Sequence, residues 1–274
     1  MPGLYIVATP IGNLGDIGAR AAKTLASAGV IAAEDTRVTA KLLSHLGLRV
    51  PMTPYHDHSD ERTRAALVAR MEAEIVVLVS DAGTPLISDP GYKLVRAARQ
   101  AGHAVHTLPG PCAAVAALTL AGLPTDRFLF AGFLPAKAKA RSDAIAEISA
   151  IRASLIFYES GPRFAESLAA LAEGLGDRDA AVVREISKLH EQTVTGKLDE
   201  LAARYSDSPP KGEIVIVVGP PPEQEAASDD HLDEALQAAL STLSPSRAAA
   251  DVAARLGVPR KRAYARAVEL AGKA

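Results

Sequence analysis

The sequence has little sulfur and little aromatic surface. Of its 274 residues one is cysteine, Cys112, none is tryptophan, and aromatics make up 4%. A single thiol excludes an internal disulfide framework and fits a reducing compartment. With so few rings, the 48% apolar residues must fill cores mainly as Ala, Val, Ile and Leu. No apolar run approaches the roughly 20 residues that span a bilayer. The strand-like opening Leu4-Tyr5-Ile6-Val7-Ala8 lacks the basic region, apolar core and cleavage site of a signal peptide. A cytoplasmic location is the expectation. Also missing are a Gly-x-Gly-x-x-Gly turn, a Gly-x4-Gly-Lys-Ser/Thr loop and a Gly-x-Ser-x-Gly elbow, which removes support for dinucleotide, P-loop and serine-hydrolase chemistry.

The formal net charge of −2 gives no general pull toward nucleic acid, but the charge is uneven. From Arg247 onward Arg247, Arg255, Arg260, Lys261, Arg262, Arg266 and Lys273 face only Asp251 and Glu269. A local basic face is what phosphate contact requires.

What is present is an alternation of short apolar runs with helical patterns. Strands are expected at Leu4–Ala8, Val30–Ala33, Ile75–Ser80 and Ala104–Leu108. Helices are expected near Ile17–Ala28, Thr39–Leu46, Asp60–Ala73 and Gly91–Ala101. Near-continuous apolar strands separated by helices predict an α/β fold with a mostly parallel sheet covered on both faces. After a small-residue helix at Ala113–Leu120, strands are expected at Phe128–Phe133, Leu155–Tyr158, Ala181–Ile186, Gln192–Thr195 and Ile214–Val218, with helices at Lys137–Ile151 and Arg163–Glu173. The fourth of these strands follows the third too closely for a helical crossover, so this second α/β domain should hold a mixed sheet. Residues 1–113 and 114–219 thus read as two domains, 220–230 as a Pro-rich then acidic linker, and 231–274 as a helical appendage. Its helices are His231–Leu243, Arg247–Leu256 and, opened by Pro259, Arg260–Leu270. Their spacing fits a helix-turn-helix unit and equally a small packed appendage.

His56 and His58, beside Asp57 and Asp60, have no third ligand cluster with metal spacing, so a polar loop is expected and no metal. Cys112 precedes a helix, which would lower a thiol pKa, yet a small side chain beside a ligand is the simpler reading. Three turns at strand ends stand out: Thr9–Leu14, Ser80–Gly91 and Pro109–Ala113. Their Gly and Pro residues let backbone approach a ligand closely, and on one sheet edge they would line a single crevice.

These turns, with Ala33–Arg37, Phe157–Ser160, Arg184–Lys188 plus Glu191, and Lys211–Glu213, carry a family resemblance. The chain resembles the tetrapyrrole methylase superfamily, and within it the branch that methylates the ribose 2′-oxygen of a cytidine in small-subunit ribosomal RNA. The match runs from about residue 3 to 219. It implies a homodimer and two α/β domains with S-adenosylmethionine folded between them. The donor would be held around Pro10, by Asp81, Ala82, Gly83, Thr84 and Pro85, and by Pro111, Cys112 and Ala113, with Tyr158 and Ile186 from the second domain. The substrate would be ribosomal RNA, free or assembled in a ribosomal particle. One departure is Gly161-Pro162-Arg163 where the family commonly has Pro-His-Arg, so no histidine there can be an essential base.

Asp35, Glu191 and the other charged residues of the matched segments are expected at the cleft mouth. Arg37, Arg163 and Arg184 suit phosphate oxygens by their forked guanidinium, and Lys211 joins them as a substrate contact. Lys188, Glu213, Glu159 and Glu185 are the candidates for base or hydroxyl orientation, unranked. The Lys137-Ala-Lys139-Ala-Arg141 stretch and the cluster around Arg260 and Arg262 are expected to grip flanking phosphates. Two other readings stay open: a methylase of a porphyrin-like small molecule, and an RNA-binding assembly factor without donor.

Overall fold

The structure, a computed structural model, describes residues 1–56, 58–206, 210, 212–222 and 229–272. Asp57, Lys211, Lys273 and the linker positions 223–228 lie outside the described residues. The chain divides into two compact units, Met1–Pro221 and Pro222–Ala274.

In the first unit the described residues form two five-stranded sheets. The first comprises β1 (Gly3–Val7), β2 (Val30–Ala33), β3 (Met52–Pro54), β4 (Ile75–Val79) and β5 (Val105–Leu108). They lie in the order β3-β2-β4-β1-β5, with every pairing parallel. The helices are α1 (Ala19–Ala26), α2 (Thr36–His45), α3 (Glu61–Arg70) and α4 (Tyr92–Gln100). Leu25, Leu42 and Leu43 pack with Ile31, Val77 and Val79 on one face. Leu67, Met71, Leu94 and Ala98 pack with Leu4, Val76 and Leu78 on the other. Burial on both faces explains why β2 and β4 are apolar throughout.

The second sheet comprises β6 (Phe128–Phe133), β7 (Ser154–Ser160), β8 (Asp179–Arg184), β9 (Gln192–Lys197) and β10 (Glu213–Val218). Its order is β6-β7-β10-β8-β9; β6 runs parallel to β7 and the remaining pairs are antiparallel. Alternate residues divide between two cores. Leu155, Phe157, Val182, Ile214 and Ile216 face α6 (Ala138–Ile148), α7 (Gly161–Leu175) and α8 (Leu198–Tyr205). Ile156, Ala181, Val183, Val215 and Val217 face α5 (Ala113–Leu120) and Ile11. Each buried Val, Leu, Ile or Phe among them contributes about 1.5–3 kcal/mol relative to exposure.

Besides a short 3₁₀ turn at Leu14–Asp16, two elements lie outside the expected pattern. β3 is three residues long and ends in Pro54, tolerable because β3 is an edge strand. α8 begins where the Glu200 carboxylate accepts the Lys197 N–H at 3.2 Å and the Asp199 carboxylate accepts the Glu200 N–H at 2.8 Å, a start made without the usual Ser or Thr. α2 also starts earlier than its apolar pattern suggests, because Asp35 caps it by accepting the Arg37 N–H at 2.8 Å.

The second unit comprises α9 (Asp229–Leu240), α10 (Pro245–Leu256) and α11 (Arg260–Ala271). They share a small core of Leu232, Leu236, Ala249, Val252, Val258, Ala263 and Ala267. Gly257, at φ +64°, makes the left-handed turn after α10.

Candidate functional site

The strand order fixes where a site should lie. From β1 the chain crosses to β2 on one side, and from β4 it crosses to β5 on the other. This reversal opens a crevice at the carboxyl ends of β1 and β4. The three strand-end turns meet there. Thr9 and Gly83 exchange N–H to carbonyl bonds of 2.9 and 3.0 Å, and the Thr84 hydroxyl donates to the Pro111 carbonyl at 2.9 Å. A Cβ on Gly110 would sit 2.9 Å from the Ala8 Cβ, so glycine permits the third turn to close in. Gly83 has φ +82°, and Leu86 and Ser88 hold φ of +76° and +62°, conformations that cost non-glycine residues of order 1–3 kcal/mol each.

The cleft encloses about 330 Å³. Asp81, Ala82, Gly83, Thr84, Cys112 and Ala113 line the first-sheet side, as the turns lead one to expect. Tyr158, Glu159, Ile186 and Glu213 line the second-sheet side. Pro10, Pro85 and Pro111 are not among the lining residues and shape the backbone behind them. Glu34, Ser88, Asp89 and Phe133 line it too; the first three fall inside the matched segments, yet no sequence signal marks them individually. Among the described residues the lining side chains include Glu34, Asp81, Asp89, Glu159 and Glu213 but no Lys or Arg. Burial pushes the Asp81 and Asp89 carboxyls above the usual range, against hydrogen bonds from the Asp35 backbone and from Ser80 respectively.

The Tyr158 hydroxyl accepts the Ala114 N–H at 3.0 Å, joining β7 to the first turn of α5. Burial foremost, and the Cys112 thiol beside it, push the Tyr158 phenol well up. Cys112 itself is a half-buried free thiol at that helix start. Among the described residues no His/Cys/Asp/Glu group could hold a metal; His56 and His58 sit in a loop.

The charged candidates fall into separate arrangements. Lys188 lies across Gly12, with its ammonium 3.3 Å from Glu185 Oε1 and 3.2 Å from Glu213 Oε2. Burial works against the Lys188 charge, but Glu213 and then Glu185 outweigh it and hold its pKa above the ordinary lysine value. Glu185 and Ser187 have φ of +51° and +64°. Their loop is tied by the Ser187 N–H to Glu191 at 2.7 Å and by the Ser187 hydroxyl to Asp16. Glu159 is buried, and both its oxygens are engaged: by the Ser160 N–H at 2.9 Å, by the Ser167 hydroxyl, and by Arg163 at 3.7 Å.

Several arginines expected to reach phosphate are turned inward or paired. Arg163 donates to the Leu134 carbonyl besides meeting Glu159. Arg37 forks onto Asp35, whose carboxyl its side-chain hydrogen bond holds at about 2. Arg184 has a buried Nε without a hydrogen-bond partner among the described residues. Arg141, expected on a basic surface stretch, is instead buried and donates to the Ala136 carbonyl at 3.3 Å. The stem of a long cation can pack inside while its head finds carbonyls, which a charge count along the chain does not reveal. In the second unit Arg262 meets Asp229 at 2.7 Å, and Arg266 is held by Asp233 and Glu269. Arg260 and Lys261 are exposed, and no hydrogen bond or ion pair engages them among the described residues.

A parallel and a mixed sheet sharing such a cleft define a two-lobed α/β fold with its ligand crevice at glycine-rich strand ends. Residues 3–202 match the family model Tetrapyrrole (Corrin/Porphyrin) Methylases, and residues 225–271 match RsmI C-terminal HTH domain. The chain is 56% identical over 269 residues to a ribosomal RNA small subunit methyltransferase I of Erythrobacter litoralis, covering 98% of this chain and 95% of the relative. It is 45% identical over 276 aligned positions to that of Escherichia coli O157:H7, covering 98% and 96%. Among solved structures, uroporphyrin-III-C-methyltransferase from Thermus thermophilus superposes with TM-score 0.57 at 22% identity over 80% of this chain and 94% of that one. Diphthine synthase superposes with TM-score 0.61 at 17% identity over 79% and 89%. The chain therefore belongs to the tetrapyrrole methylase family, and to the group of its curated ribosomal RNA small subunit methyltransferase I relatives.

Proposed function

We propose that this chain transfers a methyl group from S-adenosylmethionine to the 2′-hydroxyl of a cytidine in small-subunit ribosomal RNA. Its near-full-length relatives are named as methyltransferases of small-subunit ribosomal RNA, which supports the RNA acceptor. The observation that carries it is the cleft itself, backbone-lined on one side and carboxylate-rich throughout.

That lining fits the donor. Small residues at Ala82, Gly83, Cys112 and Ala113 leave room for a flat ligand, and the lining carboxylates suit a sulfonium. Bound S-adenosylmethionine would supply an electrophilic methyl attached to its own leaving group. The chain's part is then to align the attacking oxygen and remove its proton. Alignment can lower the barrier by about 7–11 kcal/mol, and a general base adds roughly 10²–10⁴-fold. Of the four candidates, Glu213 is best placed to receive the hydroxyl proton. It lines the cleft with its side chain 77% exposed, whereas Glu159 is fully engaged and Lys188 remains an ammonium. Lys188 orients Glu213, and Glu185 holds Lys188.

RNA phosphates must meet cations outside the acidic cleft. Arg260 and Lys261 on α11, and Lys137 at the start of α6, are exposed for that role. Apolar Val115, Leu120 and Phe128 are also exposed, which supports a homodimer. Among the described residues no helix is long and apolar enough to cross a membrane.

The deciding experiment is methyl transfer from labelled S-adenosylmethionine to small ribosomal subunits lacking 2′-O-methylcytidine, followed by nucleoside analysis. Labelled 2′-O-methylcytidine is expected. Donor binding without transfer to RNA would retire the acceptor assignment.

A further inference from the structure

Phe133 is an aromatic ring placed where soluble proteins seldom leave one. It lines the cleft yet is 53% exposed, at the end of edge strand β6. The pairing of β6 with β7 shifts register between Phe130 and Gly132, and Gly132 sits at φ +67°. Such a bulge re-aims the following side chain; here it turns Phe133 toward the cleft. A Cβ on Gly132 would come within 3.3 Å of the Ser88 hydroxyl, so the bulge also abuts the strained turn on the opposite wall.

The ring is braced. Its centroid lies 5.7 Å from that of Tyr158, tilted 66°. Just beyond it, the Leu134 and Ala136 carbonyls accept from Arg163 and Arg141. Arg163 is in turn anchored on buried Glu159. An exposed apolar ring braced by Tyr158, on a segment that half-buried Arg163 and buried Arg141 pin by its carbonyls, serves something that stacks on it.

We infer that Phe133 is the platform for the base of the nucleotide whose ribose is methylated, an unstacked pyrimidine in single-stranded RNA. The inference rests on the proposed function and extends it to the base. Recognition of single-stranded RNA commonly splays bases onto aromatic rings. Phe133 and Glu213 both line the cleft from the second sheet, so a base stacked on the ring would place its ribose in the same cleft as that carboxylate.

The test is steady-state methyl transfer by the full chain to unmodified small subunits, with calorimetric titration of S-adenosylhomocysteine in parallel. Phe133→Ala should raise KM for the subunits by about tenfold, the size of one base–ring stack. S-adenosylhomocysteine affinity should stay within about twofold, and Phe133→Trp should restore KM, since any aromatic face can stack. An unchanged KM in Phe133→Ala overturns the inference while the active wild type upholds the function. A matching loss of S-adenosylhomocysteine affinity overturns it by assigning the ring to the donor. A wild type inert on these subunits overturns the function and this inference with it.

Discussion

The ammonium of Lys188 lies 3.2 Å from Glu213 and 3.3 Å from Glu185, with Gly12 directly beneath the side chain. A lysine clasped by two carboxylates holds its proton, which fits the orienting role proposed for Lys188. Lys188→Met should lower kcat roughly 10²-fold while S-adenosylhomocysteine affinity stays unchanged. Lys188→Arg should keep more activity, because it preserves the charge. The stability linkage has a definite sign. With its pKa raised on folding, Lys188 contributes fully below the unfolded value of about 10.4 and loses that contribution only as pH rises through the higher folded value. Urea unfolding of wild type and Lys188→Met should therefore differ at pH 8 and converge at strongly alkaline pH. A constant difference across that range would sink the ion-pair account.

Asp89 shows the same pH direction for the opposite reason, because here folding favours the neutral form. Burial raises its carboxyl pKa, so the folded chain binds its proton more tightly than the unfolded chain. Stability from this group is present below the unfolded carboxylate pKa and is lost as pH climbs through the raised folded one. Asp89→Asn should accordingly raise the melting temperature at pH 7 and leave it nearly unchanged at pH 3.5. The same variant should lose affinity for the positively charged donor, measured against the uncharged-sulfur product. A variant less stable than wild type at pH 7 would show that the bond to Ser80 outweighs burial.

Much of this architecture is legible from residue pattern alone. β2 falls on Val30–Ala33 as expected, because a strand buried on both faces advertises itself as an unbroken β-branched and small apolar run. The three turns are legible because glycine and proline mark where backbone must bend or close in. What the pattern hides depends on tertiary partners. β3 exists only because Met52, Thr53 and Pro54 find register beside Ile31–Ala33. Asp89 and Phe133 become site residues through a strained turn and a bulge, neither of which has a charge or spacing signature. Arg163 and Arg141 read as surface cations, since nothing in the sequence says that the Leu134 and Ala136 carbonyls await them.

The buried Glu159 is a structural anchor. Glu159→Ala would leave the Ser167 hydroxyl and the Ser160 N–H without their acceptor and Arg163 with the Leu134 carbonyl alone. Leaving the buried Ser167 hydroxyl and the Ser160 N–H without that acceptor costs about 1–3 kcal/mol, or a melting-temperature loss of roughly 2–12 °C for a unit of this size. Glu159→Gln keeps shape and an acceptor oxygen, so it should retain most stability and measurable turnover. If Glu159→Gln were folded yet wholly inactive, Glu159 and not Glu213 would be the proton acceptor.

The C-terminal helices have their own core, centred on Leu232, Leu236, Val252 and Ala263, which shares no member with the cores of residues 1–221. A chain ending at Pro221 should therefore fold and bind S-adenosylhomocysteine as tightly as the whole. Its affinity for small subunits should fall and become less dependent on salt, since each phosphate no longer neutralised lowers the slope of log affinity against log salt by about one unit. Arg260→Ala with Lys261→Ala in the full chain should reproduce about two units of that change. Arg262→Ala and Arg266→Ala should act instead on the stability of the helical unit, because Asp229, Asp233 and Glu269 engage those guanidiniums. Equal subunit affinity and salt slope in the truncated and full chains would leave the helices with no part in holding RNA.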